Sequence, residues 1–240
     1  VFTREEMLTR VWSDEVIVLD RTIDVNITRL RKKIGEYGKN IVKRFTDFGI
    51  TGKNSIFVHC IHINKDELEI IKATDTAVVH NPESNMGNAV GAADITTMVK
   101  EGVTLGLGTD GYLCDMVQSY RLGNALCKHA CRHPNTGWGE LPQMLFQNNR
   151  EIAERAFPIK LGVLKTGFAA DVIVMDYAAP TKLDDTTINS HLLFGSSGRN
   201  VVTTIANGKI LMKDRQLTGL DRDEIFAKAR ECAAEMWKRL

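Results

Sequence analysis

No apolar run in this 240-residue chain approaches the roughly 20 residues that a membrane span requires. The first ten residues, VFTREEMLTR, carry charges where a secretory leader needs an apolar stretch. Both absences point to a soluble, cytoplasmic chain with no membrane partner. Cysteine is sparse too. Cys60, Cys114, Cys127, Cys131 and Cys232 are odd in number and irregularly spaced, so reduced thiols are expected rather than a disulfide framework. Net charge is close to absent at +1, but it is unevenly spread: residues 1–44 hold ten Lys/Arg against seven Asp/Glu, and the remainder 21 against 23. A nucleic-acid partner would therefore meet the beginning of the chain. With 43% hydrophobic residues the chain can bury one large core or two small ones, and nothing in its composition suggests disorder.

In residues 1–44, TREEMLTRVW places Met7, Leu8, Val11 and Trp12 at helical spacing behind Thr3 as an N-cap, which predicts a short amphipathic helix. RTIDVNITRLRKKIGEYG follows, with Ile23, Ile27, Leu30 and Ile34 forming one apolar face and Gly35 a stop. Arg21, Thr22, Asn26, Arg29, Arg31 and Lys32 are left for the other faces. Such a helix can offer Arg, Asn and Thr to a DNA groove while Lys and Arg meet phosphates, or it can simply be a solvated basic face. TREEMLTRVW, DRTIDVNITRLRKKIG and the start of a strand at NIVKR resemble the winged-helix DNA-binding domain of OmpR/PhoB-type response regulators. That resemblance implies major-groove binding through residues 21–34. The copy is partial: no wing hairpin follows NIVKR, and about 44 residues provide little core for independent folding.

From Phe45 onward the rhythm changes. SIFVH, TAVVH and VTLGLGTD are short β-branched apolar runs ending at His59, His80 and Asp110, separated by the helical patterns KDELEIIKAT and ADITTMVKEG and followed by DMVQSYRLGNALCKHA. Alternating strands and helices predict an α/β fold with a parallel sheet or barrel, its chemistry at the C-terminal ends of the strands. His59 and His62 are three apart and would point to opposite faces of a continuing strand, so His59, which closes the apolar run, is the candidate. A satisfied structural histidine is the alternative at both His59 and His80. Asp110 sits in GLGTDG, where glycines let backbones pack closely and turn beneath a carboxylate. CKHACRH contains Cys127/Cys131 and His129/His133 as i, i+4 pairs, but on a helix these pairs lie roughly 200° apart and cannot share one zinc ion.

VHCIHINKDELEIIKATDTAVVHNPESNMGNAVG, TLGLGTDGY, LGVLKTGFAADVIVMDY and VVTTIANGKILMKDRQLTG resemble the C-terminal half of the amidohydrolase superfamily. The likeness is to its guanine deaminase and chlorohydrolase branch, and within that to SsnA-type aminohydrolases. It covers roughly residues 45–240. It implies strands six to eight of a (β/α)8 TIM barrel with part of a small β-sandwich. It further implies a divalent metal, usually zinc, and hydrolysis of a non-peptide C–N bond on a small-molecule amine or heterocycle. On this resemblance His59 and Asp110 are catalytic, Asp110 is also a metal ligand, and His80, Asn81 and Asn85 line the substrate pocket.

The same resemblance places the family's other metal ligands ahead of this segment, and no His-x-His occurs anywhere in the chain. One carboxylate does not hold a catalytic zinc, which needs three protein ligands. The chain alone is therefore expected to retain no metal and to be inactive, with an unpaired sheet edge. KNIVKRFTDFG, Lys39–Gly49, has no linker composition. It reads as a join near Arg44 and Phe45 between a partial winged helix at 1–44 and a partial barrel at 45–240.

Overall fold

The computed structural model of the chain describes residues 40–239. The DNA-binding candidates Arg21, Thr22, Asn26, Arg29, Arg31 and Lys32, and the two helices expected before residue 35, lie outside the described residues. No helix among the described residues is long and apolar enough to cross a membrane. None of the five cysteines is disulfide-bonded. Among the described residues two compact units are distinguished, one spanning Val42–Thr218 and the other including the segment from Gly219 onward.

The first described element corrects an expectation. NIVKR does not begin a strand; α1 is a helix, Ile41–Asp47, running unbroken through Arg44 and Phe45. Its inner residue, Val42, is 2% exposed and donates its backbone N–H to Glu67 Oε1 at 3.0 Å. Phe45 packs edge-on against Phe57 with ring centroids 5.5 Å apart. A short apolar run such as Ile41–Val42 has no period of its own, and tertiary contacts decided its state.

A three-stranded parallel sheet follows, in the order β1 (Ile56–Val58), β2 (Ala77–His80), β3 (Leu105–Leu107). Each crossover is helical: α2 (Lys65–Ala73) between β1 and β2, then α3 (Pro82–Gly87) and α4 (Ile95–Lys100) between β2 and β3. The start of α2 is fixed by a capping box. Asn64 Oδ1 accepts from Glu67 N while Glu67 Oε2 accepts from Asn64 N, so the buried Glu67 carboxylate serves both α1 and α2. All three strands are short apolar runs, and β2 and β3 are the ones largely buried. Ile71, Ala77, Val78 and Leu105 are fully buried, and Ile95, Met98 and Leu107 nearly so. Each large apolar side chain removed from water in this way contributes about 1.5–3 kcal/mol.

The two outer edges of this sheet are treated differently. At β1, Ile56 and Val58 are 50% and 48% exposed, and no described strand pairs with that side. At β3 the edge is closed by side chains. After α5 (Met116–Cys131), a helical run passes from Glu140–Pro142 through a π-helical segment, Gln143–Asn148, into Asn149–Ala156. Consecutive asparagines on this run reach the strand. Asn148 Nδ2 donates to Leu105 O at 2.8 Å, while Asn149 accepts from Leu107 N at 2.8 Å and donates to Leu107 O at 2.9 Å. Two amide side chains thus meet the backbone groups that a neighbouring strand would otherwise pair.

Arg155, from the last turn of the same run, ties the opposite end of the sheet. Its guanidinium donates to Lys53 O ahead of β1, to Asp75 O and Oδ1 ahead of β2, and to Thr104 Oγ1 ahead of β3. The N-terminal ends of all three strands are gathered by one side chain that is 7% exposed. The C-terminal ends are left open.

A second sheet is antiparallel, in the order β4 (Val172–Met175), β5 (Val201–Ala206), β6 (Lys209–Lys213), β7 (Gln216–Leu217). Between β4 and β5 the chain forms a helical excursion, Ile188–Ser190 and His191–Gly195, held to α5 through Arg121. The Arg121 guanidinium donates to Leu193 O at 2.9 Å and to Ser196 O. The final helix, α6 (Arg222–Trp237), is capped by Asp221, which accepts from the backbone N–H groups of Asp223 and Glu224.

Candidate active site

The C-terminal ends of β1 and β3 bring His59 and Asp110 together: His59 Nε2 lies 3.3 Å from Asp110 Oδ2. Both residues carry left-handed backbone, with φ of 69° and 55°. Left-handed conformation is costly for non-glycine residues and is concentrated at functional sites. Here it turns each chain sharply off its strand and aims the side chain across the sheet end. The strand ends at Val58, so the alternation that would separate His59 from His62 does not continue to these residues. His62 is exposed. The dyad is partly open, His59 at 29% and Asp110 at 39% side-chain exposure, which leaves it accessible to a small molecule.

HNPESN builds the support beneath the dyad. Pro82 occupies the first turn of α3, a position that needs no N–H and favours the fixed φ of proline. Two residues on, Ser84 Oγ donates to Asp110 Oδ2 at 2.6 Å, and the next residue, Asn85, places Oδ1 2.7 Å from His59 Nδ1. Adjacent positions of one helical turn therefore hold the two partners of the dyad separately. Asn88 Nδ2 donates to Ser84 O and Oγ at 2.9 and 3.3 Å, which fixes the serine in turn. Asp110 Oδ1 accepts from Gly111 N at 2.7 Å.

The three residues expected to line the pocket stand behind the dyad. His80, Asn81 and Asn85 are 1%, 3% and 0% exposed. Burial first, and then the neighbouring His59, push the His80 imidazole down to about 4, so it is neutral at ordinary pH. Ser119 Oγ donates to Gly108 O at 2.6 Å, tying α5 to the turn after β3. The glycines of LGLG are required by close approach. A Cβ on Gly106 would lie 2.8 Å from Ile152 Cδ1, and one on Gly108 would lie 2.8 Å from Val79 Cγ1.

Sequence reasoning missed Ser84, whose signal was its place beside Asn85 on one helical turn. It also passed over the one H-x-x-E spacing in the chain, His80 to Glu83. Glu83 is engaged elsewhere: Gln118 Nε2 donates to both of its carboxylate oxygens at 2.9 Å. CKHACRH lies at the end of α5, with Cys127 buried and His129, Cys131 and His133 exposed.

The fit to a catalytic metal is decided by the donor set. No three His, Cys, Asp or Glu side chains converge on one point among the described residues. Asp110 meets a serine hydroxyl, a histidine and a backbone amide within hydrogen-bonding or ion-pair distance. The described residues do not by themselves compose the three-ligand site that a catalytic zinc needs.

Comparison with known proteins supplies the family. The Amidohydrolase family pattern matches residues 25–211. The 5'-deoxyadenosine deaminase of Methanosarcina mazei is 32% identical over 209 residues, covering 85% of this chain and 48% of that protein. A 5-methylthioadenosine/S-adenosylhomocysteine deaminase of Thermococcus onnurineus is 31% identical, covering 82% of this chain and 48% of that protein. Among solved structures, a zinc-bound adenosine deaminase from Xanthomonas campestris superposes with a TM-score of 0.75 at 21% identity, over 86% of this chain and 48% of that one. Atrazine chlorohydrolase TrzN from Arthrobacter aurescens, complexed with zinc, superposes with a TM-score of 0.67 at 22% identity, over 82% of this chain and 44% of that one. This chain spans about half the length of the curated relatives it matches. A parallel sheet with polar residues at its C-terminal strand ends, a family pattern running over most of the length and relatives above 30% identity agree: the chain belongs to the amidohydrolase family.

Proposed function

We propose that this chain carries part of the active site of a hydrolytic deaminase, which replaces an amino group on an electron-poor heterocycle with oxygen and releases ammonia. The observation that carries this reading is the His59–Asp110 pair, 3.3 Å apart at the open end of a parallel sheet and held by left-handed backbone on both sides. Asp110 is placed to take the proton of an attacking water. A new C–O bond forms at the carbon bearing the amino group, and the C–N bond then breaks. One water proton leaves with the departing nitrogen and the other, from the new hydroxyl, comes to rest on the adjacent ring nitrogen, so that water and the amino-substituted C=N unit yield a ring carbonyl with an N–H beside it and free ammonia. His59 Nε2, beside Asp110, hydrogen-bonds the attacking oxygen. The names of the relatives direct attention to adenine nucleosides, with the 6-amino group as the leaving group.

Turnover is proposed for this site when it is completed by ligands beyond the described residues; from the 240-residue chain alone little or none is expected. The test is ammonia release from 5'-deoxyadenosine, 5-methylthioadenosine and adenosine in the presence of zinc. It compares the chain alone with a hybrid in which residues 25–240 replace the matching half of the Methanosarcina mazei deaminase. The expected result is a hybrid that deaminates and loses that activity on Asp110→Asn. A folded, zinc-loaded hybrid that releases no ammonia from any amino-substituted heterocycle, or one indifferent to Asp110→Asn, would overturn the reading.

A further inference from the structure

We infer that Tyr112 forms an aromatic wall of the substrate opening beside the His59–Asp110 pair, packing its ring against a planar amino-substituted heterocycle, with Met86 and Leu113 as the apolar rim. The inference rests on the deaminase reading and adds the surface that holds the ring while the polar pair acts on its carbon.

Two segments that meet at the dyad meet a second time here. Ser84 on α3 donates to Asp110, and three residues along the same helix Gly87 receives Tyr112, two residues beyond Asp110. The approach is close: a Cβ on Gly87 would overlap the Tyr112 hydroxyl and lie 2.7 Å from Cζ. Residues three apart on a helix are neighbours on one side, with about 5–6 Å between them. The phenol therefore stands one helical turn from the carboxylate, a separation comparable with the length of a fused-ring heterocycle. A substrate whose reacting carbon lies at Asp110 extends past Tyr112.

The loop that carries this side chain is fixed at both ends. Tyr112 N donates to Thr109 O at 3.3 Å and closes the turn around Asp110. At the other end Asp115 caps α5, accepting from Val117 N and Gln118 N through one oxygen and from Gly198 N through the other. A wall built this way is preformed and needs little ordering on binding. Its rim is apolar and open. Met86, beside Gly87, is 41% exposed, and Leu113, beside Tyr112, is 64% exposed. A single exposed apolar side chain is ordinary, but three from adjoining segments next to a buried polar cluster have the make-up of a small-molecule site.

Gly87 provides a separate handle on the wall. It lies in α3 without positive φ, so alanine suits its backbone and conflicts only with the phenol. Gly87→Ala displaces the ring and leaves the Tyr112 loop chemically intact.

The experiment measures binding and does not require turnover. Dissociation constants of adenosine and 5-methylthioadenosine are obtained by equilibrium dialysis with the hybrid in its Asp110→Asn form, so that ligand is not consumed. Tyr112→Ala is expected to weaken both ligands by about tenfold or more, and Tyr112→Phe, which keeps the ring, by no more than about twofold. Gly87→Ala is expected to weaken them about threefold or more, and Gly87→Ala with Tyr112→Ala to be no weaker than Tyr112→Ala alone. In the active hybrid Tyr112→Ala raises KM with kcat little changed. A folded Tyr112→Ala hybrid that binds as the parent does overturns the inference, as does a phenylalanine variant as weak as the alanine one. Should Tyr112→Ala fail to fold, Gly87→Ala decides, and parental affinity there overturns the wall. Binding that depends on Tyr112 in a hybrid releasing no ammonia would sink the deaminase reading and leave the wall standing; deamination with unaltered binding in Tyr112→Ala would do the reverse.

Discussion

His59 and Asp110 face each other across the end of the parallel sheet at 3.3 Å, each on left-handed backbone that most non-glycine residues avoid. Asparagine tolerates that conformation better than most residues, so Asp110→Asn isolates the charge from the backbone. Its stability is expected to stay within about 1 kcal/mol of wild type, while deamination by the completed enzyme falls about 10²-fold or more. Asp110→Val, β-branched and unsuited to positive φ, is expected to cost about 1–3 kcal/mol in addition. Urea denaturation and initial rates on the same preparations separate the two effects. Equal stability losses for the two variants would show that backbone strain at Asp110 contributes nothing measurable.

His80 makes stability depend on pH in a defined direction. Its imidazole is held near 4 by burial and by His59, whereas an unfolded histidine titrates near about 6.5. Between these values the unfolded chain binds the additional proton, so folding stability is complete above about pH 6.5 and is lost as pH falls toward about 4. The shift corresponds to a loss of about 3 kcal/mol over that window. His80→Gln cannot titrate and is expected to flatten this part of the profile, whatever its own stability at neutral pH. Urea midpoints at about pH 7 and about pH 4.5, for wild type and variant, provide the comparison. A variant with the wild-type slope would assign the pH dependence to other groups.

Much of this architecture was legible because it depends on local pattern. KDELEIIKAT, ADITTMVKEG and DMVQSYRLGNALCKHA have helical periodicity and form α2, α4 and α5; SIFVH, TAVVH and VTLGLGTD are apolar runs that contain the three parallel strands. His59 and Asp110 could be singled out because each is a polar residue closing such a run. What the pattern could not convey depends on side chains meeting across the fold. Nothing local distinguishes NIVKR as helix rather than strand; the buried contact of Val42 with Glu67, 25 residues away, does so. Ser84 and Asn85 read as turn residues until α3 sets them against two different strand ends. Asn149 reads as an ordinary helical asparagine, since its partner is a strand edge 42 residues earlier.

Arg155 carries a prediction on the opposite end of the sheet. Asp75 and Glu151 are more than half exposed, so their ion pairs with the arginine are screened. The larger contribution comes from the carbonyls of Lys53 and Asp75, which a buried guanidinium reaches together. Arg155→Met is expected to destabilise by about 2–3 kcal/mol, and Arg155→Lys to recover less than half of that, because an ammonium cannot span both carbonyls and Thr104. Because the site lies at the other strand ends, the His59 resonances should be unmoved in Arg155→Lys. A lysine variant as stable as wild type would show that charge alone suffices.

Asn149 tests whether side chains can stand in for a strand. Its amide pairs with both the N–H and the C=O of Leu107 on the outer edge of β3. Leucine is close in size and removes donor and acceptor together, stranding two backbone groups of a residue that is only 3% exposed. An unsatisfied buried polar group costs about 1–3 kcal/mol, so Asn149→Leu is expected to lose about 2–3 kcal/mol after partial relaxation. Asn149→Asp should fall between, since a carboxylate still accepts from Leu107 N–H but opposes the carbonyl. The sharper measurement is hydrogen exchange at the Leu107 amide. It should quicken by about tenfold or more in Asn149→Leu, beyond the change at Val78, whose amide is bonded to Thr104 O inside the sheet. A uniform change at both amides would mean that Asn149 supports the fold globally and that the β3 edge is protected by something other than this side chain.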